Sequence, residues 1–114
     1  DSLKLTRPIW SGKIYPYGEM RNITLLSYDI LSKTSNQRRL NGGSLLKKIL
    51  LDSVDHENEN GTSKKKIYMY SAEERTIVGL LQNMGLWEPH ILEHGAAIIF
   101  EVYSDSLTRE YTIK

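Results

Sequence analysis

The sequence predicts an α/β fold with the element order helix, helix, strand, helix, strand, strand. Two observations predict it: apolar residues recur at helical spacing in three segments, and short β-prone runs occupy the second half of the chain. The chain has 114 residues, of which 39% are hydrophobic and 25% charged, a composition typical of globular proteins. We therefore expect residues 1–114 to form a single domain or a part of one.

The first half of the chain is predicted to contain two helices. Residues 1–19 should be irregular, because prolines and glycines punctuate them. The first helix is predicted from Met20 to about Ser32, and the polar segment Lys33 to Arg39 is predicted to be a loop. Asn41-Gly42-Gly43-Ser44 then opens the second helix. The apolar stripes expected to face the core are Ile23, Leu25, Leu26, Ile30 and Leu31 in the first helix and Leu45, Leu46, Ile49, Leu50 and Val54 in the second.

A third helix is predicted after Ser71-Ala72-Glu73-Glu74, with Met84 as its last residue. Gly85 follows at the position where a glycine commonly closes a helix. The buried face of this helix should consist of Ile77, Val78, Leu81 and Met84. The acidic side chains before it, interpreted as a solvated helix end and loop, are Asp52, Asp55, Glu57 and Glu59.

Three strands are predicted: Ile67 to Tyr70, the strongly apolar Ala96 to Tyr103, and the shorter Arg109 to Ile113. The strand at Ile67 is apolar enough to need a neighbour on both edges. Three short strands and three helices cannot close a sheet that is covered on both faces. The sequence therefore indicates an incomplete domain.

Composition excludes several classes of function. The chain has no cysteine, which excludes a disulfide scaffold, a thiol nucleophile and a zinc–thiolate site. Its net charge is +1 and it lacks recognisable nucleic-acid-binding motifs, so nucleic acid is not an expected partner. No apolar run approaches the roughly 20 residues that a membrane-spanning helix needs. The histidines His56, His90 and His94 lie in loop-like contexts, so none is expected to be catalytic, and no metal or cofactor is predicted.

Two glycosylation sequons, Asn22-Ile23-Thr24 and Asn60-Gly61-Thr62, favour a secreted protein over the intracellular location that the lack of cysteines would suggest. Asn60 is the better acceptor, because it lies in a polar stretch where a loop is expected. No signal peptide is visible, but the chain begins at Asp1 rather than Met.

Four motifs span nearly the whole chain: Pro8-Ile9-Trp10, Arg39-Leu40-Asn41-Gly42-Gly43-Ser44-Leu45, Tyr70-Ser71-Ala72-Glu73-Glu74-Arg75-Thr76 and Phe100-Glu101-Val102-Tyr103. In these motifs, and in their order, the chain resembles the C-terminal part of the histidine acid phosphatases, which include prostatic, lysosomal and insect venom or salivary members. The resemblance implies a histidine-phosphatase-like three-layer sandwich of which this chain supplies the C-terminal part.

The resemblance also exposes departures from the family pattern at the catalytic positions. Glu73 and Glu74 stand where the family has a histidine that binds the phosphate and an aspartate that protonates the leaving group. An anion at the histidine position should repel phosphate. The family's nucleophilic Arg-His-Gly-x-Arg motif does not occur in the chain. By this resemblance the chain is expected to be a pseudophosphatase without catalytic residues.

Carboxylates in a former phosphate pocket would instead attract a cation, such as a protonated amine. The resemblance extends to salivary acid phosphatase-like proteins of blood-feeding insects, which lack catalytic residues and bind biogenic amines and leukotrienes. It implies a secreted scavenger of host mediators such as serotonin. The residues expected to bind such a ligand are Glu73, Glu74, Arg75, Ser71, Trp10 and Trp87, the tryptophans through cation–π contacts.

Other interpretations remain open at this point. Glu73 and Glu74 also suit the first turn of a helix, whose N-terminus favours negative charge, with no ligand involved. A missing N-terminal segment could complete an active phosphatase in which Glu74 donates the proton. A homodimer could complete the fold, and a purely antigenic or interaction role would involve neither binding nor turnover.

Overall fold

The computed structural model describes residues 5–58, 65–108 and 110–114, and the side chains of all of these except residues 54–58. A 3-10 helix, Ile9–Lys13, precedes four α-helices, and a π-helical turn, Arg39–Gly43, joins the second of these to the third. The α-helices are α1 Glu19–Leu31, α2 Ser35–Arg38, α3 Ser44–Asn58 and α4 Glu74–Met84, and the strands are β1 Val102–Ser104 and β2 Tyr111–Ile113.

Helix α1 confirms the first predicted helix to within one residue at each end, but it buries a different face from the one predicted. Tyr28 is its most buried side chain, 3% exposed. Ile23, Leu26 and Ile30, which the apolar stripe assigned to the core, are each more than half exposed. The spacing identified a helix correctly. It could not show which side of that helix the rest of the chain covers.

The segment predicted as a loop, Lys33 to Arg39, contains the short helix α2, so that prediction was wrong. A reciprocal pair of hydrogen bonds starts this helix. The Gln37 backbone N–H donates to Thr34 Oγ1 at 3.2 Å, and the Thr34 backbone N–H donates to Gln37 Oε1 at 2.9 Å. This capping box satisfies two backbone groups that a helix start otherwise leaves unpaired.

The second predicted helix is confirmed as α3, and the π-helical turn that precedes it lies close against α4. A Cβ atom added at Gly42 would lie 2.2 Å from the carbonyl oxygen of Gly79, so only a glycine allows this approach. Within α3, Ile49 is buried as predicted, whereas Leu50 is 43% exposed. The side chain of Val54 lies outside the described part.

The third predicted helix is confirmed as α4. Gly85 closes it with a φ of +72°, the left-handed conformation that glycine adopts readily, and its N–H donates to the carbonyl groups of Leu81 and Gln82. Val78 is 2% exposed and Leu80 is 4% exposed. The buried apolar side chains of the described part are Tyr28, Ile49, Val78 and Leu80.

Helices α1 to α4 pack together at a junction. There, side-chain amides join the helices by donating hydrogen bonds to main-chain carbonyl oxygens. Gln82 Nε2 donates to the carbonyl of Tyr28 at 3.2 Å. Asn83 Nδ2 donates to the carbonyl of Arg38 at 2.8 Å, and Asn41 Nδ2 to that of Leu31 at 3.1 Å. These bonds occupy carbonyl groups near the ends of α1 and α2 that lack a partner within their own helix.

The strand predictions were largely wrong. Residues 67–70 form no strand, and of the segment 96–103 only the last two residues belong to β1. In the described part, β1 pairs with β2 in an antiparallel two-stranded sheet with Val102 opposite Ile113, and every residue of both strands is exposed. Strand pairing depends on a partner distant in sequence, and residues 67–70 have none among the described segments.

The described elements are compatible with an α/β fold, but they form no three-layer sandwich. The radius of gyration is 19.2 Å, whereas a compact domain of this length has a radius near 13 Å. Apolar side chains such as Met69, 90% exposed, and Ile99, 76% exposed, remain in contact with solvent. The chain therefore offers more apolar surface than it covers.

Candidate functional site

The predicted acidic pair lies at the start of α4. Glu73 is the N-cap residue, with φ −77° and ψ 159°, and Glu74 is the first helical residue. The Glu73 carbonyl accepts a 3.0 Å hydrogen bond from the Thr76 N–H, which begins the helix. The Glu73 side chain makes no capping hydrogen bond, and both glutamates are exposed. Their carboxylates are therefore accessible to a ligand from solvent.

Ser71 and Arg75 are also exposed, so four of the predicted ligand-binding residues, which are close in sequence, lie on one exposed stretch of the chain. The side chains turn inward only after Arg75: Thr76 and Ile77 are partly covered, and Val78 is buried. The stretch thus combines two carboxylates, one guanidinium group and one hydroxyl group. A ligand with both a cationic and a hydrogen-bonding group suits this combination.

The same geometry also fits the alternative in which the two glutamates serve only the helix. Negative side chains at the N-terminus of a helix are favoured by the partial positive charge of its unpaired N–H groups. This effect needs no ligand. The position of the pair therefore allows both interpretations, and a binding measurement separates them.

The structure does not bring Trp87 to the acidic pair. Trp87 follows the C-terminal end of α4, and a helix of 11 residues separates it from Glu74, a length of about 16 Å. Its indole lies edge-on to Tyr28, with ring centroids 5.8 Å apart, and stacks on His90 at 4.9 Å. Its Nε1 is buried without a hydrogen-bond partner. Trp87 thus serves the packing between α1 and the segment after α4.

Trp10 lies in the 3-10 helix Ile9–Lys13, and its side chain is 70% exposed. Its indole is therefore largely open to solvent. Nearby, Arg7 lies over the ring of Tyr15, 4.7 Å from the centroid. Of the two tryptophans suggested for a bound amine, Trp87 thus packs beside Tyr28 and Trp10 is exposed.

A second polar cluster, which the sequence analysis missed, lies between α3 and the segment before α4. Asp52 is 8% exposed, so its interpretation as part of a solvated acidic stretch was wrong. Lys48 Nζ donates to Asp52 Oδ1 at 2.5 Å, and the Tyr70 hydroxyl donates to Asp52 Oδ2. The four-residue spacing of Lys48 and Asp52 on a helix could have suggested the ion pair. Nothing in the sequence pointed to Tyr70.

The electrostatics of this cluster follow from its hydrogen bonds. The bond from Lys48, followed by that from Tyr70, holds the pKa of Asp52 below its usual value. The bond to Asp52 raises the pKa of the Tyr70 hydroxyl and that of Lys48. At neutral pH the cluster therefore contains an ionised carboxylate, an ammonium group and a neutral phenol.

The remaining predicted positions are surface residues or fall outside the description. His90 and His94 are exposed, and His90 Nδ1 lies 2.7 Å from the carbonyl of Glu88. The side chain of His56 is outside the described part. Asn22 is exposed on α1, and Asn60 lies outside the described residues.

Two further searches cover the described residues only. Within them, no helix combines the length and apolar character required to span a bilayer. Across the same residues, His, Asp and Glu side chains do not gather in groups of three or more that could hold a metal ion.

The chain is similar to a curated protein, the venom acid phosphatase Acph-1 of Apis mellifera. The two are 33% identical over 104 residues, which cover 91% of this chain and 27% of the relative. The chain thus spans about a quarter of the length of the curated relative it matches. No protein-family model and no solved structure matches it. The similarity supports an acid phosphatase-like relationship.

Proposed function

We propose that this chain belongs to a secreted, acid phosphatase-like protein that has lost phosphatase activity and binds small cationic amines such as serotonin through Glu73 and Glu74. The observation that carries the proposal is the exposed carboxylate pair at the start of α4. By the family resemblance, this is the place where an active acid phosphatase has its histidine and aspartate. Leukotrienes, which the same resemblance implies, are a second ligand class to test.

The charge of the acidic pair supports a preference for a cationic amine over phosphate. The two carboxylates outnumber the one guanidinium group of Arg75, so the stretch is negative overall, which raises the local concentration of an ammonium group and lowers that of a phosphate. Exposed charge pairs contribute little by themselves, since solvent and salt screen them. Selective binding of an amine therefore needs a further wall that excludes water from the pair.

We propose that a complementary polypeptide surface supplies this wall, either a missing N-terminal segment of the same domain or a second copy of the chain. Ile23, Leu26 and Ile30 on α1 leave an apolar face without cover. The radius of gyration of 19.2 Å and the 27% coverage of the relative support the same interpretation.

The proposal is tested by isothermal titration of the protein with serotonin, histamine, norepinephrine, leukotrienes and inorganic phosphate. We expect saturable binding of an amine and no heat with phosphate. Glu73→Gln should weaken amine binding about threefold, since it removes one exposed charge. Glu93→Gln, an exposed glutamate outside the site, is the matched control and should leave the affinity unchanged. Phosphate binding without amine binding would refute the proposal.

The second candidate function is that of an acid phosphatase completed by an N-terminal segment, with Glu74 as proton donor. The similarity to a protein named as an acid phosphatase favours it. It predicts hydrolysis of p-nitrophenyl phosphate at acidic pH by the full-length protein, and loss of this activity in Glu74→Gln. The pseudophosphatase proposal predicts no hydrolysis by either form.

Secretion is the third part of the proposal. The relative is named as a venom protein, and the Asn22 sequon lies on an exposed face of α1. Mass spectrometry of the protein from secreted fluid, before and after glycosidase treatment, tests whether Asn22 and Asn60 carry glycans. Detection only inside cells would contradict secretion.

A further inference from the structure

The cluster formed by Lys48, Asp52 and Tyr70 connects α3 to the segment that leads into the acidic pair. Asp52 is largely buried, and each of its carboxylate oxygens accepts a hydrogen bond, Oδ1 from Lys48 and Oδ2 from Tyr70. Hydrogen bonds to an ionised group are roughly twice as strong as those between neutral groups. The tie between Asp52 and Tyr70 spans 18 positions of the sequence, so it is a tertiary contact and not a local one.

Tyr70 is well placed to restrain the acidic pair. It lies three residues before Glu73, and residues 65–73 have no regular secondary structure that would fix them. Three residues of chain reach at most about 10 Å. On the other side, Glu74 begins α4, whose buried residues Val78 and Leu80 fix the helix. The acidic pair is thus held between two anchored points.

We propose that Asp52 and Tyr70 are positioning residues for the ligand site at Glu73 and Glu74. The Tyr70 hydroxyl, bound to Asp52, fixes residues 71–73 so that the two carboxylates point to a common ligand. This inference rests on the proposed function, because it assigns a role toward the same site. Neither residue touches the ligand.

Fixing these residues before the ligand binds strengthens binding for an entropic reason. Fixing the backbone of one residue costs roughly 1–2 kcal/mol, and a site built on an unrestrained segment incurs that cost each time a ligand binds. A tie that exists before binding removes part of the cost.

The test compares Tyr70→Phe, which removes only the hydroxyl, with Tyr68→Phe, which removes a hydroxyl from the same segment that is not one of the two donors to Asp52. Two quantities are measured for the wild-type chain and both variants. One is the amide hydrogen-exchange rate of residues 71–74, and the other is the affinity for serotonin by titration. Far-UV circular dichroism confirms that each variant keeps the helices.

We expect Tyr70→Phe to speed exchange at residues 71–74 and to weaken serotonin binding about threefold, because only part of the free energy of the lost hydrogen bond acts on the ligand site. Asp52→Asn in the Tyr70→Phe background should weaken binding little further, because the tie is already lost. Tyr68→Phe should leave both quantities unchanged.

The outcomes separate this inference from the proposed function. If wild-type protein binds serotonin and Glu73→Gln weakens that binding, while Tyr70→Phe changes neither exchange nor affinity, the positioning role is wrong and the proposed function stands. Faster exchange with unchanged affinity also overturns the positioning role. If the wild-type protein binds neither serotonin nor another amine of the titration, the proposed function fails and the positioning role fails with it, whatever the exchange rates show.

Discussion

The junction where helices α1 to α4 pack together buries several of its apolar residues, whereas the tail after Gly85 leaves residues of similar size exposed. At the junction, Tyr28, Val78 and Leu80 are almost fully buried. In the tail, residues of comparable size such as Ile99 and Leu107 are 76% and 92% exposed. The helices satisfy most of their backbone hydrogen bonds within themselves, whereas strands need a partner from elsewhere. The described residues therefore cover the apolar side chains of the first region and leave those of the second exposed.

The difference predicts that the same mutation will act very differently in the two regions. Leu80→Ala should lower the free energy of unfolding by about 3 kcal/mol, because it leaves a cavity where a 4% exposed side chain was packed. Leu107→Ala, at a position 92% exposed, should change it by less than about 0.5 kcal/mol. Urea unfolding followed by the helical circular dichroism signal measures both. Equal effects would show that the tail is packed in solution and would contradict the comparison.

Close backbone contact at the junction predicts the next largest effect. Gly42→Ala should destabilise the chain by about 2 kcal/mol, since the new Cβ would lie 2.2 Å from the Gly79 carbonyl oxygen and force the π-helical turn away from α4. Gly12→Ala is the control, because a Cβ at Gly12 meets nothing within 4 Å. Thermal unfolding of the two variants should separate them. A fully stable Gly42→Ala chain would mean that the helices do not approach this closely.

Loss of polar contacts should also affect the two regions differently, with smaller changes in stability. Asn83→Ala should cost about 1 kcal/mol, because it removes the 2.8 Å bond to the Arg38 carbonyl between two helices. Asp105→Ala removes bonds of 2.7 and 3.0 Å to the N–H groups of Leu107 and Thr108. This turn is local and exposed, so the unfolding free energy of the helices should not change. The same urea titration decides, and a larger loss from Asp105→Ala would reverse the ranking.

Acid should destabilise each region through a different carboxylate, and these should be the smallest of the expected changes in stability. The pKa of Asp52 lies below its usual value because of the bonds from Lys48 and Tyr70, and that of Asp105 because of the N–H groups of Thr108 and Leu107. A lowered folded-state pKa means stabilisation that is present above the usual value of 3.8 and is lost as the pH falls through the folded value.

We therefore expect unfolding of the wild-type helices to become easier below pH 4, and Asp52→Asn to remove that part of the pH dependence. Asp105→Asn should leave the pH dependence of the helices unchanged. Lys65 also acts on Asp52, so both variants should be compared at one ionic strength. An acid response that is identical in wild type and Asp52→Asn would show that Asp52 does not stabilise the folded chain.

The sequence predicted the elements that depend only on residues close together in the chain. Gly85 marked the end of α4, and the spacing of apolar residues located α1 and α3 to within a few residues. It did not predict α2, because four residues are too few to show a period. It placed Ile23, Leu26 and Ile30 in a core, because periodicity identifies an apolar face without showing what covers it.

The candidate site was predicted in part for the same reason. Glu73 and Glu74 adjoin in sequence, so their proximity needed no fold. Trp87 was assigned to the same ligand, but the length of α4 separates them. The bond between Asp52 and Tyr70 joins positions 18 residues apart and has no local signature. Tertiary contacts of this kind follow only from the folded chain.

Whether the acidic pair binds an amine is tested by titrating two proteins with serotonin and with inorganic phosphate. The proteins are the wild type and the double variant Glu73→His, Glu74→Asp, at a pH where the introduced histidine is charged. The double variant restores the residue types of the family's pair. We predict that wild-type protein binds the amine and not phosphate, and that the double variant loses amine affinity and gains affinity for phosphate. Equal behaviour of the two proteins toward both ligands would show that the acidic pair only starts a helix, and would contradict the proposed function.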